Sequence, residues 1–267
     1  MRAGRLLVTV LAVLASLWVL LPIYLLAINA LGGPETINAW PKSLLPETVS
    51  FETLAFFFGV RGVWRAILNS VIVAVLTMTL SILLGAPAGY ALARFAFPGK
   101  DGFRLAVLLT RAFPIAILAL PLTVRFIQFG IYDTVFAVAL IHTALALPFA
   151  ILVSASLFMG IPRELEEAAW TLGCTRLQAF RKIVWPLARP GIAATMIFAF
   201  VISWNEVFAA SVLTLRERTL TAFLLVSLNE SPLHFRFAGG LFLIVPALVF
   251  IFAVRRYLFS MWGIANR

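Results

Sequence analysis

Residues 161–189 read IPRELEEAAWTLGCTRLQAFRKIVWPLAR and form the longest polar insertion in the second half of the chain. Leu165, Ala168, Ala169 and Leu172 recur at i, i+3, i+4 and i+7, which predicts an apolar stripe along a short helix. Pro162 suits the first helical position, and acids in the first turn suit the helix dipole. We expect most of the charged side chains to face away from the stripe: Arg163, Glu164, Glu166 and Glu167.

The same stretch predicts a turn and a second helix. Gly173 is expected to end the first helix, since glycine adopts the left-handed conformation that often follows a last helical turn. Thr175 with Gln178 three residues later is a capping-box pattern. In the helix that follows, Leu177, Phe180 and Val184 share one face, so residues 160–186 are predicted to form a helix-turn-helix. Periodicity alone is equally compatible with an amphipathic loop that lies on the lipid headgroups.

Long apolar runs extend outward from this segment on both sides. They cover residues 134–159 and 187–213 next to it, then 103–129, 66–93 and 237–257, and finally 6–30 near the N-terminus. The chain is 63% hydrophobic with a mean hydropathy of +1.04, and a bilayer core needs about 20 apolar residues per helix. We therefore predict an all-α membrane protein with six transmembrane helices.

Two of these apolar runs differ from a simple straight transmembrane helix. Prolines at 114 and 121 interrupt the third run, which predicts a helix kinked inside a bundle. The first run could instead be a signal peptide, but the apolar part of a signal peptide spans only about 7–15 residues. We favour an uncleaved first helix.

The distribution of basic residues predicts the orientation. Most of the 21 lysines and arginines fall on the side of both termini, while the opposite loops hold Lys42, Arg61, Arg65, Arg216, Arg218 and Arg236. Because cytoplasmic loops carry the excess of positive charge, both termini are predicted to be cytoplasmic. Topology and anionic lipid thus explain the net charge of +10, without a role for nucleic acid.

Several classes of site are disfavoured. Cys174 is the single cysteine, so an internal disulfide is excluded, and with only two histidines a zinc cluster is improbable. The Gly99-Lys100 pair lacks the other residues of a P-loop, so ATP hydrolysis would need another polypeptide. A membrane-embedded hydrolase is disfavoured because the serines lack a histidine and acid pattern nearby.

Polar residues inside the predicted spans are candidate functional groups. Asn205 and Glu206 in the fifth span either line a translocation path or hold helices together. Asn69 in the second span and His142 in the fourth are lone polar groups, for which helix packing is the favoured role. Arg111 lies near a predicted cytoplasmic boundary, where snorkelling or pairing is favoured over ligand contact.

The order of residues in the polar insertion resembles a known signature. Glu167-Ala168-Ala169, Gly173, Phe180, Ile183 and Pro186 are similar to the EAA signature of binding-protein-dependent ABC import permeases. Further matches are Asn69-Ser70, residues 90–95 with Phe97-Pro98-Gly99, residues 161–165, and Trp204-Asn205-Glu206. Together they resemble the carbohydrate-uptake branch, specifically the second permease subunit of maltose-type systems.

The resemblance implies a type I ABC importer permease fold in a bacterial or archaeal plasma membrane. Residues 1–65 would be the first helix and an external loop, and 66–260 the transmembrane domain with coupling segment 160–186. Residues 261–267 would be a cytoplasmic tail. The implied coupling residues toward an ATPase are Glu164, Glu167, Ala168, Ala169, Leu172, Gly173 and Arg176, and the implied path residues are Asn205, Glu206 and Asn69.

The resemblance also implies partners. These are a second permease subunit, two ATPase subunits that bind ATP and magnesium, and an extracytoplasmic solute-binding protein that delivers a sugar, oligosaccharide or polyol. The chain itself would need no cofactor. It departs from the family at Leu172, where an acidic residue is common, at Cys174, and in its C-terminal ending. The alternatives are a permease for a non-carbohydrate solute, or an ion-coupled secondary transporter.

Overall fold

The computed structural model describes residues 2–40, 45, 49–227 and 231–261. Within these residues the chain is helical and contains no strand, which confirms the predicted all-α class. Residues 262–267 of the predicted tail 261–267, and parts of two of the three predicted outer loops, lie outside the described residues.

The helices follow the predicted order with extra short elements between them. They are α1 Arg2–Leu31, α2 Pro34–Asn38, α3 Glu52–Gly59, α4 Val63–Arg94, α5 Lys100–Thr110, α6 Ile115–Gln128, α7 Val135–Met159, α8 Glu164–Thr171, α9 Arg176–Ala179, α10 Trp185–Asn205, α11 Phe208–Leu213, α12 Leu220–Ser227 and α13 Leu233–Met261. A π-helical turn, Phe180–Val184, joins α9 to α10.

Four helices among the described residues are long and apolar enough to cross a membrane: Gly4–Leu31, Val63–Arg94, Val135–Met159 and Arg176–Asn205. A fifth span is added if α5 and α6 together cross the membrane. The Leu233–Val249 part of α13 is apolar but shorter.

The third predicted span is two helices rather than one kinked helix. α5 and α6 are bent by 89° at the break between them. Pro114 has extended backbone at the start of α6, and a proline disfavours helical geometry at the residue before it. Pro121, by contrast, lies inside α6.

The fifth predicted span begins earlier and ends earlier than expected. The second helix of the polar insertion is not separate, because α9, the π turn and α10 run on continuously. Trp185 N–H bonds the carbonyl of Phe180 five residues back. Pro186 supplies no N–H for the regular ladder, which accounts for a π turn just before it. α10 then ends at Asn205.

The chain forms two compact units. The first comprises residues 1–64 and 226–247. In it, Phe57 is fully buried, with its ring 5.2 Å from that of Phe235, and Gly240 leaves room for Leu26. Most of α1 exposes apolar side chains, as expected of a helix that faces lipid.

The second unit comprises residues 65–225 and 248–267, and its core depends on close packing of α4 against α7. A Cβ added at Gly85 would lie 2.8 Å from Ala150 Cβ, and one added at Gly89 would lie 2.6 Å from Ser154 Cβ. Gly85 and Gly89 form a G-x-x-x-G pair, which brings helix backbones together in membranes. This contact fixes the end of α4 beside the polar insertion.

Candidate functional site

The helix α8 ends as the sequence predicts. Gly173 has a φ of +86°, its N–H bonds the Trp170 carbonyl at 3.0 Å, and the Cys174 N–H bonds the Ala169 carbonyl at 3.0 Å. These two bonds make a Schellman motif, which needs a left-handed residue at the position of Gly173. The turn therefore has a defined geometry.

The start of α9 is also as predicted. Thr175 Oγ1 accepts from Gln178 N–H, and Gln178 Oε1 accepts from Thr175 N–H at 2.8 Å. The two bonds complete the capping box. The chain thus reverses between α8 and α9 with its free backbone groups satisfied.

The apolar stripe of α8 faces out of the chain. Leu172 is 85% exposed, Leu165 is 41% exposed, and Ala168 is exposed as well. Only Ala169 of the predicted stripe is buried. An exposed apolar stripe on a well-defined helix is a surface that a partner could cover.

The inward face of α8 carries an acid that sequence reasoning missed. Glu166 is 1% exposed, and its carboxylate accepts from Arg94 Nε at 2.5 Å and from Tyr90 Oη at 2.6 Å. Arg94 also donates to the Ile161 carbonyl at 3.0 Å. Glu166 faces away from the stripe, as expected, but it is buried rather than exposed to solvent. Its partners at the end of α4 compensate the buried charge.

Aromatic side chains support this ion pair. The Tyr90 ring contacts those of Phe180, at 4.8 Å, and Phe158, at 5.4 Å, both edge to face. Tyr90 and Arg94 are four residues apart and share a face of α4. That spacing, together with an acid three residues before Ala169, was the signal available in the sequence.

The remaining coupling candidates lie on the exposed side or the edge of α8. Glu164 and Glu167 are exposed, and Glu167 lies 3.6 Å from Arg163 Nε in a surface ion pair. Such a pair contributes about 0–1 kcal/mol. Arg176 is exposed, with its guanidinium 5.4 Å from the centre of the Trp170 ring.

A second polar cluster lies where α10 ends. His142 Nε2 is 2.9 Å from Glu206 Oε2, and His142 Nδ1 is 2.8 Å from Ser203 Oγ, which in turn contacts Thr77 Oγ1 at 3.3 Å. His142 is fully buried. From the sequence, helix packing is the favoured role for His142 as a lone polar group. In the structure, His142 contacts Glu206.

Glu206 also explains the break after α10. Its carboxylate accepts N–H bonds from Ala209 at 2.9 Å and from Ala210 at 3.1 Å, at the start of α11. A side chain that takes these donors competes with continuation of the helix. Glu206 and Asn205 therefore lie at a helix break rather than within a helix. Asn205 is exposed, and its amide donates to the Val201 carbonyl at 3.0 Å.

The third path candidate, Asn69, belongs to a network with the loop after α11. Asn69 is buried, and its amide donates to Glu217 Oε2 and to the Arg218 carbonyl, both at 3.2 Å. Glu217 also pairs with Arg65. Because Arg65 donates hydrogen bonds to this half-buried carboxylate, the pKa of Glu217 is lowered.

Asp133 holds the same loop from the turn before α7. Its Oδ1 accepts from the N–H groups of Leu215, Arg216 and Glu217 at 2.7, 2.9 and 3.1 Å. Burial raises the pKa of Asp133, but the three N–H donors outweigh it and leave the pKa below its ordinary value. Among the described residues, no group of three or more His, Cys, Asp or Glu could hold a metal ion.

The chain is similar to known proteins over most of its length. Residues 81–260 match the family described as binding-protein-dependent transport system inner membrane component. The chain is 34% identical to the trehalose transport system permease protein SugB of Mycobacterium tuberculosis (strain CDC 1551 / Oshkosh), over 90% of this chain and 89% of that protein.

Two further similarities concern another permease and a solved structure. The chain is 30% identical to the diacetylchitobiose uptake system permease protein DasC of Streptomyces coelicolor, over 76% of this chain and 74% of that protein. A crystal structure of a bacterial ABC transporter for alginate import has the same fold, with a TM-score of 0.75 at 22% identity, covering 96% of this chain and 98% of that one.

Proposed function

Because the chain belongs to the family of inner membrane components of binding-protein-dependent transport systems, we propose that it is the permease subunit through which a sugar or oligosaccharide is imported. Two of the relatives described above are named for trehalose and diacetylchitobiose, and both substrates are small oligosaccharides. The chain is a transport subunit of the inner membrane and not an enzyme. The energy then comes from ATP hydrolysis on a separate ATPase.

We propose that α8 couples the two proteins. The observation that carries this proposal is the orientation of α8, with Leu165, Ala168 and Leu172 exposed and Glu166 fixed to Arg94 on the opposite face. An exposed apolar stripe is stabilised when another chain covers it. The ion pair with Arg94 would transmit a displacement of α8 to the end of α4. Gly173 and Arg176 would flank the docking surface. The carboxylates of Glu164 and Glu167 would be available for ion pairs with the ATPase. Ala169 would pack beneath the docking surface on the buried side of α8.

The proposed topology has six spans with both termini in the cytoplasm. α1, α4, the α5–α6 pair, α7, α10 and α13 would be the spans, which places α8 inside the cell and the Asp133 turn outside. Residues 1–65 would then hold the first span and an external loop, 66–260 the transmembrane domain with coupling segment 160–186, and 261–267 a cytoplasmic tail.

The complete importer would contain a second permease subunit, two ATPase subunits with ATP and magnesium, and an external solute-binding protein. Asn205 at the helix break is the proposed contact with the translocation path. Glu206 and Asn69 would shape the path indirectly, since both already bond to neighbouring elements. Alternating access would follow from opening and closing of the ATPase pair.

The test is uptake of labelled trehalose and diacetylchitobiose into proteoliposomes that contain the chain with the permease, ATPase and binding protein from its native membrane. We expect uptake only with ATP inside and binding protein outside, and no effect of a protonophore. Uptake that continues without ATP and stops with a protonophore would instead establish an ion-coupled secondary transporter. ATP-dependent uptake of a non-carbohydrate solute alone would overturn the substrate class.

A further inference from the structure

A cavity of about 360 Å³ lies between α8, α9 and the end of α4. Apolar and aromatic side chains make most of its lining, including Pro87, Leu177 and Phe180. Its volume falls within the range of about 300–1,000 Å³ typical of ligand sites. The coupling role of α8 does not use this cavity, because the exposed stripe lies on another side of that helix.

Three arginines and one glutamate line this cavity. Glu166 is already neutralised by Arg94. Arg163 has only the weak surface pair with Glu167, and within the described residues Arg176 contacts an aromatic ring but no carboxylate. The cavity therefore carries an excess of positive charge.

Unused hydrogen-bond donors accompany that charge. The indole N–H of Trp170 is buried and has no acceptor within the described part of the chain. A buried donor normally has a partner, and this one belongs to a ring that lines the cavity. Arg176 stacks near the same ring, which leaves the N–H edge of its guanidinium available.

We propose that this cavity binds an anionic phospholipid of the cytoplasmic leaflet, with the phosphate on Trp170 and Arg176 and the start of an acyl chain against the apolar lining. A free phosphate would fill only the polar part. Basic pockets between transmembrane helices on the cytoplasmic side bind anionic lipid head groups. The inference rests on the cytoplasmic placement of α8 proposed above. The lipid would brace the coupling segment against α4.

The test is native mass spectrometry of the detergent-purified complex, full chain with its partner subunits, after addition of phosphatidylglycerol or phosphatidylcholine. We expect bound phosphatidylglycerol and no bound phosphatidylcholine. Trp170→Phe, which keeps a ring but removes the donor, should lower lipid occupancy about threefold. Arg176→Gln should lower it about fivefold. Arg181→Gln, an exposed arginine outside the cavity, is the matched control and should change nothing.

Three outcomes would overturn the proposal. They are wild-type occupancy in both cavity variants, equal losses in Arg176→Gln and Arg181→Gln, and displacement of the lipid by glycerol phosphate at equal concentration, which would indicate a soluble anion. If Trp170→Phe does not fold, Arg163→Gln replaces it with the same expectation. The spectra of the wild-type complex also report bound ATPase. Wild type that retains the lipid but not the ATPase contradicts the proposed coupling alone. Wild type that retains the ATPase but not the lipid contradicts this site alone.

Discussion

Arg94 Nε lies 2.5 Å from Glu166 Oε1, and the two side chains are 8% and 1% exposed. Arg94 is the last residue of α4 and Glu166 lies in the first turn of α8. One buried ion pair thus joins a predicted membrane span to the helix proposed to meet the ATPase. The proposed role of this ion pair is mechanical, because it fixes α8 to α4 and takes part in no reaction.

Removing one partner of this ion pair should lower the free energy of unfolding. Glu166→Leu leaves the buried Arg94 charge uncompensated, and we expect a loss of about 3–5 kcal/mol in the free energy of unfolding. Differential scanning fluorimetry in detergent would show it as a lower unfolding midpoint. The double variant Arg94→Met with Glu166→Leu should recover much of the loss, because no buried charge remains. Glu164→Gln on the exposed side is the control, and equal effects of Glu164→Gln and Glu166→Leu would contradict the assignment.

Gly173→Ala should cost about 1–2 kcal/mol of stability. The φ of +86° strains any residue with a Cβ, while the added methyl group itself would meet no atom within 4 Å. Gly160→Ala is a matched control, since Gly160 has a φ of −72° and an added Cβ would be at least 3.5 Å from its neighbours. Thermal unfolding of the two variants compares them directly. Equal midpoints would mean that the Schellman turn does not hold α8.

Gly89→Ala should separate α4 from α7. The added Cβ would lie 2.6 Å from Ser154 Cβ and 2.7 Å from Ala155 N, and the backbone cannot yield without moving a helix. We expect a loss of about 1–3 kcal/mol together with reduced uptake. Gly102→Ala in α5 meets open space and serves as control. An unchanged unfolding midpoint in Gly89→Ala would contradict the close packing.

Asp133→Asn tests the outer loop through its pH dependence. The folded pKa of Asp133 is lowered, so its contribution is fully present above the unfolded pKa of about 4 and is lost as pH falls through the folded value. The unfolding midpoint of the variant should therefore lie below that of the wild type at pH 7, with the gap closing below about pH 4. Asp101→Asn, with a side chain 96% exposed, should show no gap. A gap that is independent of pH would contradict the role of the carboxylate.

Local patterns in the sequence predicted the end of α8 and the start of α9 correctly, because Gly173 and the pair Thr175 and Gln178 act on their own backbone. The inward turn of Glu166 was missed for a physical reason. Periodicity located the apolar stripe but not the side of α8 that packs against the chain, where the contact is an ion pair with a residue 72 positions away. That pairing depends on the packing of α4 near α8, which no local spacing encodes.

The membrane spans, too, were predicted only in part from the sequence. Pro114 predicted a bend, but the angle of 89° depends on how α5 and α6 pack. The hydropathy pattern predicted that the fifth span ends at Leu213, because Glu206 is a single charged residue in an apolar run. The helix ends there because Glu206 finds His142 on α7 and two N–H donors on α11, and these partners are set by tertiary structure.

Co-purification of the tagged chain with its ATPase tests whether the exposed stripe of α8 docks the ATPase. Ala168→Asp should reduce the ATPase recovered per chain by more than about tenfold, since Ala168 is exposed on the stripe and the variant places a charge in a buried apolar interface. Leu215→Asp, 61% exposed on the side proposed to lie outside the cell, should leave recovery unchanged. Full recovery of the ATPase with Ala168→Asp, in a chain that still inserts and folds, would contradict docking through this stripe.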